Sequence, residues 1–288
     1  GNSMEFKFDN MEQELDNLIN LENNVINVSN YQFIEPVGMA ILKALILDEN
    51  VNIENYGFTK SYMDTLFNKE YDSSKSYIPI ENIVYGSIDK NTKHIVNFLL
   101  KHKDFQSLSV EDRKDLYEYL YYMLSELLNN ALTHSFSSIG AVVAGQYFSN
   151  LKKIQLCVVD RGVGFLANIK RQYNVITESE AILKAIEKGV SCPPPKPYSS
   201  SLNNAGYGLF ILTEIIRHTK GRLKIISNDG LVYIDENGLL HSTDNISVNW
   251  KGSIVVFEFY EKNINFSKND FFRIYIYQDN EDTEDIFI

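Results

Sequence analysis

The apolar positions change period several times along the chain, and each change marks an element. Residues 24–30 alternate loosely between apolar and polar, as a half-buried strand does. A helical pattern follows over 37–47, where Met39, Ile41, Leu42, Leu45 and Ile46 are apolar. Pro36 suits the first turn of that helix, because its missing N–H would have no partner there. The strongest stripe runs from Leu116 through Leu120, Leu124, Leu127, Leu128, Ala131 and Leu132, and predicts a helix that ends near Thr133. The period then drops to that of extended chain. Residues 139–148 and 154–159 predict two strands joined by the polar link Ser-Asn-Leu-Lys-Lys, a hairpin. Further along, 179–188 predicts a short helix, 193–204 a Pro-rich then Ser-rich loop, and 209–219 a helix closed by Gly221. Strands at 222–227, 231–235 and 253–260 complete an α+β pattern, and one more is expected at 272–277. No repeat of about 20–50 residues recurs, which excludes a solenoid or propeller.

Composition narrows the setting. With 288 residues, 44% of them hydrophobic, the chain can build one large or two ordinary domains. The reading adopted is a small α/β domain over 1–105, a larger domain over 106–262 and a C-terminal extension over 263–288. Lys plus Arg is 27 against 38 Asp plus Glu, a net charge of −11, so the average field repels phosphate backbones and no nucleic-acid partner is expected. The longest apolar runs fall far short of the roughly 20 residues a membrane helix needs, so no membrane span is expected. No basic segment followed by an apolar stretch stands at the N-terminus. Cys157 and Cys192 have no paired spacing, so neither a disulfide framework nor a zinc site is expected, and the cytoplasm is the expected location.

Three groups of residues carry chemistry. Glu126, Asn130 and His134 are spaced by four on the Leu-striped helix, and on an ideal helix each step drifts only about 40°. A carboxylate, an amide oxygen and an imidazole would then line one wall of a cleft. Magnesium prefers hard oxygen ligands and keeps several waters, so an Asn oxygen plus phosphate oxygens would suit it, with Glu126 free to take a proton. The alternative is a solvated helix flank with a terminal His against the dipole. The second group, Asp160-Arg-Gly162-Val-Gly164-Phe165, follows a strand directly. A carboxylate there can accept a hydrogen bond from an exocyclic amine such as adenine N6, which would select adenine over guanine. The alternatives are a plain tight turn, or a dinucleotide fingerprint formed by Gly162, Gly164 and Ala167 with Glu178 or Glu180 at the ribose. Against the fingerprint, Asp160 would place negative charge beside a pyrophosphate. The third group, Asn203-Asn-Ala-Gly206-Tyr207-Gly208-Leu209, opens a helix whose N–H groups can cradle phosphate oxygens. An ordinary glycine-bearing helix start would look the same. No Walker-type phosphate loop occurs.

Taken in order, the three groups resemble the signatures of the GHKL superfamily, the Bergerat-fold ATP sites of gyrase, the heat-shock chaperone, sensor histidine kinases and the mismatch-repair ATPase. Glu126-Leu-Leu-Asn-Asn130-Ala is similar to its N-box, Asp160-Arg-Gly-Val-Gly-Phe165 to its first glycine box and Gly206-Tyr-Gly-Leu209 to its second. The resemblance covers about residues 110–260. It implies an α/β sandwich with a mixed sheet and helices on one face, preceded here by the small α/β domain. It implies ATP and Mg2+ as cofactors, Asn130 as the metal ligand, Glu126 as general base and Asp160 as reader of adenine. Gly162 and Gly164 would shape the adenine pocket, Gly206, Tyr207, Gly208 and Leu209 would meet the phosphates, and His134 would lie near them. Lys188-Gly-Val-Ser191 is similar to the segment before the family's flexible lid, which would make 193–204 that lid. Gly252-Ser253 is similar to its last, weak box.

With Glu126 in the N-box, Thr133-His134-Ser135 after it and Arg161 after Asp160, the chain looks closest to anti-sigma-type serine kinases and stand-alone ATP-binding proteins. Autophosphorylation in cis is not expected, because His94 and His102 sit in a Lys-rich segment with no helical-hairpin pattern, and these two with His218 and His241 read as surface or supporting histidines. The stretch Ile26-Asn-Val-Ser-Asn-Tyr-Gln-Phe-Ile-Glu-Pro-Val-Gly38 resembles the strand–helix core of STAS domains, the anti-sigma antagonist fold. Pro36 and Val37 stand where that family carries a phosphorylatable Ser or Thr. The function implied is a regulatory Mg-ATP-binding protein that hydrolyses ATP or transfers phosphate in trans to a protein partner. A second copy of the chain is also a compatible partner. The different-class alternative is a nucleotide-sensing module that binds without catalysis.

Overall fold

The computed structural model describes residues 4–19, 23–54, 77–84, 88–190 and 208–263. The N-terminal stretch forms β1 (Met4–Phe6), α1 (Met11–Ile19), β2 (Val25–Asn27), β3 (Tyr31–Ile34), α2 (Pro36–Glu49) and β4 (Asn52–Glu54). Its strands make two parallel pairs, β1 with β3 and β2 with β4. Beyond it come β5 (Tyr77–Ile83), α3 (Ile88–Leu100) and, after the single turn Lys103–Gln106, α4 (Val110–Asn129). The hairpin β6 (Ala141–Phe148) and β7 (Lys153–Asp160) is followed by α5 (Phe165–Ile169) and α6 (Glu178–Ala185). The remainder is α7 (Gly208–His218), β8 (Arg222–Asn228), β9 (Gly230–Ile234), β10 (Leu240–Thr243) and β11 (Trp250–Tyr260). Among the described residues, no helix is long and apolar enough to cross a membrane.

Seven strands form one sheet in the order β10-β9-β8-β11-β7-β6-β5. Every pairing in it is antiparallel, which corrects the expectation of a mixed sheet. Both faces of the sheet are covered, one by helices that follow β5 and the other by the N-terminal layer. Along β7, Ile154, Leu156 and Val158 join the core beneath α3, α4, α6 and α7, while Cys157 and Val159 join a second core on the other face. On β11, Val255, Phe257 and Phe259 face the first core, and Ile254 and Val256 the second. That alternation is the two-residue period of a strand, and both sides are apolar because both are covered.

The second face is covered by α2. From Pro36 to Leu45 this helix is buried at nearly every position, as a helix apolar all round must be. Pro36 does occupy the first turn. Val37 N–H donates to Gln155 Oε1 at 3.2 Å, so a residue of β7 satisfies one of the helix's orphan donors. The second face also carries charge. Lys153 Nζ lies 3.4 Å from Glu35 Oε2 and 3.3 Å from Glu258 Oε2, and Gln155 Nε2 donates to Glu258 at 3.1 Å. Arg222 closes the group through Glu258 and Asp9.

The expected boundary at residue 105 falls inside one helical layer, between α3 and α4. Ile95 and Leu99 of α3 share a core with Leu116 and Leu120 of α4, and β5 is the edge strand of the large sheet. The separate N-terminal layer is therefore 4–54 among the described residues. Residues 264–288, with the strand expected at 272–277, lie outside the description.

Glu258 is 1% exposed and bonds to Lys153, Gln155 and Arg222. Glu258→Ala leaves Lys153 and Arg222 short of a buried partner and is expected to lower stability by about 3 kcal/mol or more in urea unfolding. Lys251→Ala, with a 62% exposed side chain, is expected to change it by less than about 1 kcal/mol.

Candidate functional site

The three residue groups are positioned by three different kinds of local structure. Ser109 caps α4, its hydroxyl accepting from Asp112 N–H at 3.1 Å, and the Leu stripe fixes which side of the helix faces the sheet. Glu126, in the last turn, is thereby carried inward and is 4% exposed. The α-helix stops at Asn129 and a π-turn takes over from Asn130 to His134, where the expected helix continued to Thr133 without change. Thr133 Oγ1 donates back to Asn129 O at 2.5 Å, and Ser135 Oγ to Ala131 O. The wider turn alters the angle between Asn130 and His134, so the trio does not keep the regular drift of a straight helix. Asn130 faces the same hollow as Glu126. The backbone of His134 closes the π-turn, and its side chain lies outside the described residues.

Asp160 ends β7 and pairs across the ladder with Ser253 of β11 and Ala141 of β6. Its side chain is 2% exposed. Oδ1 accepts from Gly162 N–H at 2.9 Å and Ser253 N–H at 3.3 Å, and Oδ2 from the Ser253 hydroxyl at 2.5 Å. A carboxylate offers about four acceptor positions, so about one remains for a ligand. Burial pushes this carboxyl up to about 6, and the donors from Ser253 and Gly162 pull the other way. Glycine is required at Gly162, because a Cβ there would stand 1.9 Å from Ser135 O, the atom that accepts Val163 N–H. At Gly164 a φ of +83° and the crowding of Asn228 and Ser227 impose the same requirement.

These segments converge on one hollow of about 930 Å³, counted with its mouth. Glu126, Asn130, Asp160, Gly164, Gly208 and Leu209 all line it. Gly162 is bonded to Asp160 just beside it. Gly206 and Tyr207, and the expected lid 193–204, lie outside the described residues, while the flanking Val190 and Gly208 both reach the hollow. A Cβ on Gly208 would sit 3.0 Å from Glu126 Oε2, so α7 starts against that carboxylate. The remaining wall is mostly apolar, from Leu127, Val158, Phe165, Ile169, Ala185 and Val255, as a site for a flat ring requires. Ser253 was legible only as a weak box, and Asn168 had no sequence signal; both line the hollow.

The same geometry bears on the dinucleotide alternative. β7 is flanked by antiparallel neighbours and followed by a helix of five residues, so the dinucleotide reading lacks its parallel strand–helix–strand unit. Glu178, its candidate ribose ligand, instead accepts from Ser227 Oγ at 2.8 Å, Asn228 Nδ2 at 2.6 Å and Leu166 N–H at 3.1 Å. It ties α5 to β8.

The described lining residues include two carboxylates and no Lys or Arg. Among the described residues, no group of three or more His, Cys, Asp or Glu could hold a metal. A cation in the hollow would therefore need oxygens from its ligand as well as from Asn130 and water, a donor set that suits Mg2+ rather than a metal held by protein alone. No protein-family model matches the sequence, and no curated protein matches it significantly.

Glu126 is pushed up to about 7 by burial, against an ordinary 4.5. Between those values the folded chain keeps a proton that the unfolded chain releases, so this group's cost to folding grows as pH rises through the window and persists above it. Glu126→Gln is expected to stabilise the protein by about 1–3 kcal/mol at pH 8 and to have little effect at pH 4.5. Urea unfolding at both pH values checks this; the same change at both would contradict it.

Proposed function

We propose that the hollow binds ATP with Mg2+ and that the protein is a regulatory ATPase or protein kinase of the GHKL type. The observation that carries this reading is the convergence of Glu126, Asn130, Asp160 and Gly208, from three separated segments, on one largely apolar hollow. A chance set of glycine turns and helix flanks has no reason to meet there.

Each residue has a task that its surroundings support. Asp160 has one acceptor position left and is rigidly held by Ser253 and Gly162, which suits a fixed bond from the exocyclic amine of adenine. Apolar walls from Val158, Phe165, Ile169 and Val255 exclude water around a purine ring. Asn130 presents an amide group on the same wall as Glu126, and its oxygen can serve a hard cation. Magnesium, when bound, neutralises phosphate charge that the two carboxylates would otherwise repel. α7 begins at Gly208 in the wall of the hollow, and the positive end of its dipole favours an anion there.

Glu126 is the candidate base. With its ionisation near neutral, it is half charged at working pH and able to take a proton from an attacking water or hydroxyl. The same carboxylate serves hydrolysis and transfer to a partner's hydroxyl equally, so both remain within the proposal.

Calorimetric titration with a non-hydrolysable ATP analogue, with and without Mg2+, tests the reading. Binding that requires or strengthens with Mg2+ is expected, and Asp160→Asn is expected to weaken it by about tenfold or more, the worth of one hydrogen bond to a charged acceptor. No binding by the wild type under either condition ends the proposal. Glu126→Gln is expected to keep analogue affinity and lose turnover, and wild-type turnover is expected to rise with pH through about 7, as Glu126 becomes charged. Unchanged turnover in that variant would remove Glu126 from the role of base, and unchanged cellular function would assign the protein to binding without catalysis.

A further inference from the structure

Consecutive side chains at the end of β7 leave the sheet on opposite faces. Asp160 enters the hollow, and Arg161 passes to the other side, where its side chain is only 4% exposed. There it meets the last turn of α2. Arg161 Nε donates to Asp48 Oδ2 at 3.0 Å and Nη2 to Glu49 Oε1 at 2.5 Å. The guanidinium carbon lies 4.1 Å from the centre of the Trp250 ring. Trp250 Nε1–H donates to the Asp160 carbonyl at 3.1 Å, and Arg161 N–H donates to Ser137 Oγ at 3.2 Å. Side chain and backbone on both sides of this peptide are thus held.

The electrostatics of α2 call for such a partner. Two acids stand in its last turn with no basic residue, at the end where the helix dipole is itself negative. Lys251 reaches Asp48 only at 3.5 Å from a 62% exposed position. Arg161 supplies the buried cation, and its planar fork engages both carboxylates at once. The residue that makes this bridge lies between Asp160, which faces the hollow, and Gly162, whose N–H holds Asp160 in place. A shift of the end of α2 therefore pulls directly on the loop that presents the Asp160 carboxylate.

We infer that Arg161 is a positioning residue that couples the N-terminal layer to the nucleotide hollow. Its bridge to Asp48 and Glu49 holds the 160–162 loop in the ligand-accepting arrangement, and filling the hollow tightens the end of α2. The coupling is reciprocal, as linkage requires. It deepens, and rests on, the nucleotide reading of the same hollow. The N-terminal layer is thereby a built-in regulator of that site: whatever competes for Asp48 and Glu49 lowers nucleotide affinity.

The test uses the full chain with a non-hydrolysable ATP analogue and Mg2+. In the double variant Asp48→Asn, Glu49→Gln, well below its unfolding temperature, analogue affinity is expected to fall about fivefold or more, the lower range of ordinary site-to-site couplings. Glu236→Gln, an exposed acid on the β9–β10 turn, is expected to leave it unchanged. Hydrogen exchange on the wild type needs no variant: saturating analogue is expected to slow the amides of 45–50, and this slowing is expected to vanish in the double variant. A merely structural bridge would lower thermal stability without either effect. Unchanged affinity in the folded double variant, or amides of 45–50 indifferent to saturating analogue in the wild type, overturns the inference while leaving the nucleotide reading standing. A wild type that binds no analogue overturns both.

Discussion

A carboxylate kept away from water at the end of β7, an inner strand of the sheet, is the constraint around which the site is arranged. Asp160 is 2% exposed, and a buried charge is tolerated only when hydrogen bonds replace its hydration. Ser253 supplies two donors because the β7–β11 register places it directly opposite. Gly162 supplies the third because the chain turns there without a side chain, close against Ser135. That contact in turn docks the turn after α4 onto the loop after β7, since Val163 N–H bonds to Ser135 O at 2.7 Å. Satisfying one carboxylate thus fixes the spacing of the two walls that carry Glu126, Asn130 and Gly164.

The other face of the sheet obeys a different rule. α2 is apolar all round and lies flat on β6 and β7, but its two ends are bound by charge. At its start, Glu35 meets Lys153 and Val37 N–H meets Gln155; at its end, Asp48 and Glu49 meet Arg161. Buried ion pairs of this kind add little net stability relative to apolar packing but allow few alternative placements. The layer is located by polar contacts and held by apolar ones. Its alignment with the loop after β7 follows from the strand period, which sends Asp160 and Arg161 to opposite sides.

Within the hollow, burial acts on two carboxyls in the same direction and to different ends. Among the described residues no hydrogen-bond donor holds the charge of Glu126, which burial pushes up to about 7, whereas Asp160, equally buried, has three donors opposing its rise to about 6. The first is placed to exchange a proton near neutral pH, the second to remain an acceptor. The surroundings differ as well as the residue type: burial acts alone on Glu126 and is opposed by hydrogen bonds at Asp160.

By itself the sequence determined what depends on local period and local chemistry. The Leu-striped helix, the 141–160 hairpin, the Pro36 helix start and the helix before Gly221 follow from spacing and from turn residues a few positions apart. Its three glycine- and acid-bearing groups were legible as candidates for the same reason, and those that are described meet in one place. What only the tertiary structure decided is everything set by partners far along the chain. The antiparallel order of the sheet, the strand β5, the covering of the second face by α2 and the interleaving across residue 105 depend on which apolar surfaces meet, and a strand carries no mark of its neighbour's direction. The π-turn at Asn130 arises where the helix must end against the loop after β7, and Arg161 finds Asp48 and Glu49 across more than a hundred residues. Period can say that a residue is buried; only the assembled layers say against what.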